Sequence, residues 1–185
     1  MKKNKISKNW IIKQHRDPFF KQSKIQGYRS RSAFKLIEMN KKFKLLKKGT
    51  YLLDLGCSPG GWTQVATKII SKGKILSVDI KPMDNIHNVN FLKGDLLDDE
   101  ICKKISNYFE KKFDVVISDI AASTTGNKNL DSFRTGELCL LAMDLAKKVL
   151  NKEGVFLSKV FMGSVFDEIN KKARECFKNV IKYKP

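Results

Sequence analysis

Acidic side chains are scarce in this sequence, cysteine and histidine scarcer still, and long apolar runs are absent. Nineteen aspartates and glutamates face 37 lysines and arginines, a formal net charge of +18 over 185 residues. The four cysteines, Cys57, Cys102, Cys139 and Cys176, lie at least 37 residues apart with no Cys-x-x-Cys pair, and His15 and His87 are the only histidines. Such spacing speaks against a zinc site or a disulfide framework, so buried free thiols and no metal are expected. No apolar run approaches the ~18 residues that crossing a bilayer takes, and the Lys-rich start lacks the hydrophobic stretch of a secretory signal. These absences point to a soluble cytoplasmic monomer that meets no membrane, although a basic, acid-poor start also suits an organelle-targeting peptide.

The positive charge that is present is unevenly placed. Residues 1–48 hold 16 basic side chains and two acidic ones, Asp17 and Glu38, so this quarter of the chain carries +14 and the remainder +4. A compositional bias would spread along the chain; a concentration of this kind implies a polyanionic partner whose counterions are released on binding. Trp10, Phe19, Phe20 and Tyr28 lie among these cations, where they could stack on bases or anchor the segment to the core.

After a basic extension over residues 1–28, the pattern predicts one domain over 29–185. Ser30 or Ser32 suits a helix cap, with Phe34 and Ile37 on one side. Strands are predicted at Tyr51–Leu55, Lys74–Asp79, Asn88–Leu92, Phe113–Ser118 and Val155–Phe161, with a sixth at Asn179–Tyr183. Helices are predicted around Trp62, Val65, Ala66 and Ile69, over Leu97–Phe109, over Arg134–Leu150 after a polar loop at Ser123–Asn129, and around Phe166, Ile169, Ala173 and Phe177. Strands alternating with helices argue for an α/β fold with a mainly parallel, twisted sheet covered on both faces, whose ligand binds at the carboxyl ends of the strands.

The sharpest local signal is Asp54-Leu-Gly-Cys-Ser-Pro-Gly-Gly-Trp62, between the first strand and its helix. Gly56, Gly60 and Gly61 let the backbone turn tightly and approach a ligand. A phosphate-binding P-loop would need Gly-Lys-Ser/Thr where Gly61-Trp-Thr stands, and the Gly-x-x-x-Gly-Gly spacing departs from the dinucleotide fingerprint. A ligand without a pyrophosphate remains, and S-adenosylmethionine fits. Aspartates at successive strand ends would accept from it: Asp79 from the ribose hydroxyls, Asp95 from the adenine amine. Any one of these aspartates taken singly reads better as a turn or cap residue than as a ligand, and their joint placement after successive strands reverses that preference.

Together with Asp17-Pro-Phe-Phe, Gly27-Tyr-Arg-Ser-Arg-Ser-Ala-Phe-Lys35, Ser118-Asp119, Lys159-Val-Phe and Lys184-Pro185, the loop resembles the FtsJ/RrmJ family of ribosomal RNA 2'-O-methyltransferases. The resemblance implies a Rossmann-like S-adenosylmethionine-dependent methyltransferase fold, ribosomal RNA within the large subunit as partner, and transfer to a ribose 2'-hydroxyl. It also implies a Lys-Asp-Lys-Glu tetrad, three positions of which fall on Lys35, Asp119 and Lys159, with cofactor contacts on Gly60, Gly61, Trp62, Asp79, Asp95 and Asp119. A ribose hydroxyl is a very weak acid, so its proton must leave as the oxygen attacks in line. A lysine accepts that proton only from its neutral form, which burial and a second ammonium favour, so Lys159 beside Lys35 suits the base and Asp119 its orientation. The plain alternative for Lys35 is an exposed pair with Glu38 three residues on.

Two departures from the family stand out. Where its members carry proline after the aspartate, this chain reads Ser118-Asp119-Ile-Ala-Ala122. Beyond Lys-Pro the family continues with the tetrad glutamate and a further strand, so either a segment past Pro185 completes the sheet, the favoured expectation, or the protein is a shortened relative with an open sheet edge. A transfer RNA or messenger-cap 2'-O-methyltransferase, a noncatalytic RNA-binding ribosome-assembly factor and, more distantly, a nicotinamide oxidoreductase are the competing readings.

Overall fold

The computed structural model describes residues 16–185. A five-stranded sheet runs in the order β3-β2-β1-β4-β5, where β1 is Tyr51–Leu55, β2 Lys74–Asp79, β3 Val89–Lys93, β4 Phe113–Ser118 and β5 Leu150–Ser158. All four neighbouring pairs are parallel. The chain builds outward from β1 to β3, then returns to lay β4 against the other side of β1, and this reversal opens a crevice at the carboxyl ends of β1 and β4. There the Asp119 N–H donates to the Leu55 carbonyl at 3.2 Å.

Period-two side chains from the central strands fill two cores. Leu52, Ile75, Val115 and Ile117 pack on one face with Ala33, Leu36 and Met39 of helix α2 (Ser32–Phe43) and with Trp62, Val65 and Ala66 of α3 (Gly61–Ile69). Leu53, Leu55, Leu76, Val78 and Val116 point the other way, against Ile101 and Ile105 of α4 (Asp99–Ser106) and against Ala142, Leu145, Ala146 and Val149 of α5 (Lys128–Val149). A smaller cluster joins α5 to α6 (Phe166–Cys176) through Cys139, Leu140, Met143, Val165 and Ile169. Cys57 and Cys139 are buried free thiols; Cys102 and Cys176 are free and half-buried. No described helix is long and apolar enough to cross a membrane.

Several boundaries differ from the sequence expectation. Within the basic segment before residue 28, Pro18–Ile25 forms a helix, α1, whose start is capped by Asp17 accepting from the Phe19 and Phe20 N–H groups at 2.9 and 3.2 Å. An Asp-Pro pair, capping residue then fixed φ, is the signal that marks it. Residues 1–15, with Trp10, lie outside the described residues. At α2 neither Ser30 nor Ser32 caps; Arg31 occupies that position without a side-chain bond, and the two serine hydroxyls lie 2.7 Å apart. Ile37 sits on the exposed side of α2, because Ala33, Leu36 and Met39 form its inward stripe.

The predicted strand at Asn88–Leu92 runs one residue later, and the helix predicted over Leu97–Phe109 is shortened to α4 by its Asp98 cap. Helix α5 begins six residues before Arg134, since Asn127 caps it and Asp131 in its first turn accepts from the Thr125 and Gly126 N–H groups. Strand β5 starts directly from α5 at Leu150, passes through Gly154 and ends at Ser158, so Lys159 follows the strand rather than lying in it. No sixth strand forms at residues 179–183. That segment crosses α2 instead, where the Tyr183 ring meets Phe43 edge-on at 5.4 Å and its hydroxyl donates to Glu38. Tyr183 packs against the α2 core, and β5 is an outer strand of the sheet formed by the described residues.

Candidate active site

At the end of β1 the chain turns through Gly56, whose φ of +73° and close approach to Ile120 exclude a side chain; an added Cβ would lie 2.6 Å from the Ile120 side chain and 2.8 Å from its Cα. Gly60, at φ +109°, opens α3 with no side chain capping it, which leaves the first N–H groups of that helix at the edge of the turn. Beside this turn lies a cavity of about 660 Å³, bounded by Gly56–Pro59, Gly61 and Trp62, by Arg29–Ser32, by Asp17 and Phe20 of the α1 region, and by Asp54 and Asp119.

The cavity is acidic at its floor. Asp54, an internal residue of β1, is fully buried, accepts the Thr63 hydroxyl at 2.6 Å through one oxygen, and has no described partner for the other. Burial pushes its carboxyl up to about 7, against the bond from Thr63, and the negative charges of Asp119 and Asp79 raise it further. Asp79, at the end of β2, accepts from the Ser58 N–H and the Lys81 N–H, each at 2.8 Å, and so ties the second loop to the glycine turn. Asp119 stands one residue past β4. The Lys159 ammonium donates to its carboxylate at 2.6 Å and to its carbonyl at 3.0 Å, while the Lys159 N–H holds the Ser118 carbonyl at 2.9 Å. Both side chains are about a quarter exposed, 24% for Lys159 and 23% for Asp119, so the pair opens toward the surface at the mouth of the crevice.

The residues singled out from the sequence are thus brought together unequally. Gly56, Gly61, Trp62 and Asp119 line the cavity, and Asp79 and Gly60 adjoin it through Ser58 and Arg29. The Trp62 indole N–H is taken by the Ser32 carbonyl at 2.9 Å, which leaves the ring rather than the nitrogen for a ligand. Asp95 is exposed and accepts from the Leu97 N–H at 3.0 Å, a turn residue outside the lining set. Lys35 is exposed on α2, three residues beyond Ser32, and has no hydrogen bond or ion pair with a described residue. Glu38, its candidate partner, holds Tyr183 instead.

Arginine 29 was not anticipated. Its guanidinium donates to the carbonyls of Pro59, Asp84 and Asn85 at 3.2, 2.7 and 3.0 Å, and its N–H donates to the Gln64 side chain at 2.7 Å. It fastens the glycine turn to the loop after β2, and no local pattern announces a bond to carbonyls 30 to 56 residues away. Asp54 was legible in principle, since a carboxylate inside the apolar strand Tyr-Leu-Leu-Asp-Leu is costly without a purpose. Arg31 pairs with Asp17 across the mouth of the cavity. Of the aromatic side chains among the basic residues, Phe19 and Tyr28 both pack on Phe34, at 6.0 and 5.7 Å, so they anchor α1 to α2. No group of three or more metal-ligating side chains occurs among the described residues.

The arrangement has known relatives. Residues 28–185 match the family model described as FtsJ-like methyltransferase. The chain is 49% identical over 185 residues to the ribosomal RNA large subunit methyltransferase E of Pelagibacter ubique, spanning all of this chain and 91% of that protein. Against the protein of the same name from Acinetobacter baylyi it is 42% identical over 186 residues, all of this chain and 86% of the other. Among solved structures, a chain described as a ribosomal RNA methyltransferase from Plasmodium falciparum superposes with a TM-score of 0.77 at 34% identity, covering 85% of this chain and 91% of that one.

Proposed function

The chain belongs to the FtsJ-like methyltransferase family, and from that premise we propose that it transfers the methyl group of S-adenosylmethionine to a ribose 2'-hydroxyl of large-subunit ribosomal RNA. The observation that carries this reading is the Asp119–Lys159 pair, set at the split between β1 and β4 beside a glycine turn and its acid-floored cavity.

The residues present fit that cofactor. The unpartnered oxygen of Asp54 is a buried acceptor inside the cavity, where the ammonium of a methionine end would satisfy it. The Asp79 carboxylate, already oriented by two N–H donors at the rim of the turn, suits a ribose diol, and the Trp62 ring and Gly61 give flat and close surfaces for the remainder. The bound cofactor supplies an electrophilic methyl on a sulfonium. The protein's part is to position the attacking oxygen and to take its proton. Lys159 Nζ, held by two oxygens of Asp119, is fixed in direction at the cavity mouth, where a ribose hydroxyl approaches from solvent. Lys159 takes the proton only as the neutral amine; Asp119 keeps that amine aimed and balances the positive charge it then gains. Lys35, exposed beyond Ser32 with no described side-chain partner, suits the ribose or its phosphate rather than the proton transfer. The concentration of cations in residues 1–48 supports RNA as the partner.

Tritiated-methyl transfer to intact large subunits and to naked ribosomal RNA tests this reading, with the product mapped by resistance of the 2'-O-methylated linkage to alkali. Label on RNA at an alkali-resistant linkage is expected, reduced ~10²- to 10⁴-fold by Lys159→Ala, the usual worth of a general base. Label on a base, or equal transfer by Lys159→Ala, overturns it.

A further inference from the structure

The core clusters leave out a group of large apolar side chains at the carboxyl end of the sheet. Phe161 is 43% exposed and Met162 77%, in the turn after β5; Phe133 is 47% and Leu130 38% exposed, in the first turns of α5. The two segments are fastened together. The Ser132 hydroxyl donates to the Met162 carbonyl at 3.2 Å, and the backbone comes so near at Gly163 that an added Cβ would collide with the Ser132 hydroxyl. Phe161 is therefore an exposed aromatic on a turn held from both sides. Its ring lies beneath the Lys159 ammonium, 5.5 Å from Nζ to the centroid, and two residues along the chain from it.

We propose that Phe161 is a stacking platform for the base of the nucleotide whose ribose is methylated. The inference rests on the function proposed above and names how its substrate is held. The ring is 43% exposed and can accept a flat, π-rich partner on the side that Lys159 does not cover, and a base laid there brings its own sugar toward the neighbouring ammonium, because the separation of ring and Nζ is within the reach of one nucleotide. Phosphate contacts from the basic segment give affinity without placing a particular sugar. Stacking supplies the missing constraint, since it fixes the base, and through the glycosidic bond the hydroxyl, in front of Lys159. Every base has a π-face, so the platform sets which ribose is presented without choosing the base.

The test compares Phe161→Leu with Phe161→Trp. Leucine keeps an apolar cover over Lys159 and loses the planar face; tryptophan keeps and enlarges it. Phe161→Leu is expected to raise the RNA KM about 5- to 150-fold, the worth of one stacked base, with S-adenosylhomocysteine affinity unchanged by calorimetry, which also certifies the fold. The slope of binding against salt stays at its wild-type value, because no phosphate contact is lost. Phe161→Trp is expected to stay within about threefold of wild type and to quench 2-aminopurine placed at the target position. A leucine variant with wild-type KM, or a tryptophan variant that leaves 2-aminopurine unquenched, overturns the proposal, the first by assigning Phe161 to water exclusion alone. Should the wild-type protein methylate no RNA while the quench still appears, the proposed reaction fails and the platform stands.

Discussion

The floor of the crevice and its rim are built on opposite rules. At the floor, Asp54, Asp79 and Asp119 are buried or half-buried and bonded to named donors: Thr63, the Ser58 and Lys81 N–H groups, and Lys159. At the rim, Arg31 is 62% exposed and its side chain meets only Asp17, and outside the lining Lys35 stands exposed on α2 with no described side-chain partner. A small cationic ligand of fixed shape rewards the first design; a long polyanion that arrives and leaves rewards the second. The difference teaches that affinity for the two substrates is separable, one set by preorganised hydrogen bonds and the other by screened charge.

Mutations at the floor should break both functions, and the largest effect belongs to Asp119, the one residue that serves floor and mouth alike. Asp119→Asn is expected to lower methyl transfer by 10³-fold or more, on the order of an orienting carboxylate's contribution, and to weaken S-adenosylhomocysteine binding as well. Single-turnover kinetics beside calorimetry separates the two losses, and unchanged cofactor affinity would detach Asp119 from the floor.

Asp54 comes next, through stability. Its folded carboxyl titrates near 7 against 3.8 for the free group, so the folded chain binds the proton more tightly than the unfolded one. Stability from this group is greatest below pH 4, falls as pH rises, and is lost above pH 7, a change of about 4 kcal/mol at 1.36 kcal/mol per unit. Urea unfolding at pH 5 and pH 8 should capture about 3 kcal/mol of it, and Asp54→Asn should flatten the profile between those values. The ammonium of the bound amino-acid end favours the carboxylate, so S-adenosylhomocysteine affinity should rise over the same interval with release of a proton, read as a buffer-dependent binding enthalpy.

The Arg29 guanidinium joins the glycine turn to the loop after β2 through main-chain carbonyls alone. Arg29→Ala is expected to weaken S-adenosylhomocysteine roughly 10-fold or more, since charge-assisted bonds are worth ~1.5–3 kcal/mol each, while leaving the salt dependence of RNA binding as it was. A lowered salt slope with intact cofactor affinity would move Arg29 to the rim. The smallest effect is expected at Lys35: Lys35→Ala should reduce the slope of log K against log salt by about 1 and leave cofactor affinity unchanged.

Much of the fold was legible because the central strands are short, apolar and bounded by glycine or charge. Tyr51–Leu55, Lys74–Asp79 and Phe113–Ser118 fall where the pattern puts them. Errors gathered where a side chain far away decides a boundary. Tyr183 is drawn to Glu38, 145 residues earlier, rather than to a strand, and Asp131 reaches back to Thr125 to start α5 early. In the site, Asp119 and Lys159 were legible through the family resemblance, and they are joined by β4 and β5 lying side by side. The Asp95 turn was foreshadowed as the plain reading of a single aspartate. The Arg29 bonds and the exposure of Phe161 were not readable, since a carbonyl acceptor has no letter in the sequence and an aromatic residue reads as core by default.

The clasp at Arg29 has an evolutionary corollary. Its acceptors are main-chain oxygens of positions 59, 84 and 85, so Asp84 and Asn85 are free to drift in identity as long as the path of the loop is kept. The arginine has no such freedom: a lysine offers a single point of charge and cannot span two loops with a planar fork. Saturation mutagenesis should therefore find a tolerant loop facing an intolerant arginine, a lopsided pairing in which one partner is held by its chemistry and the other only by its trajectory.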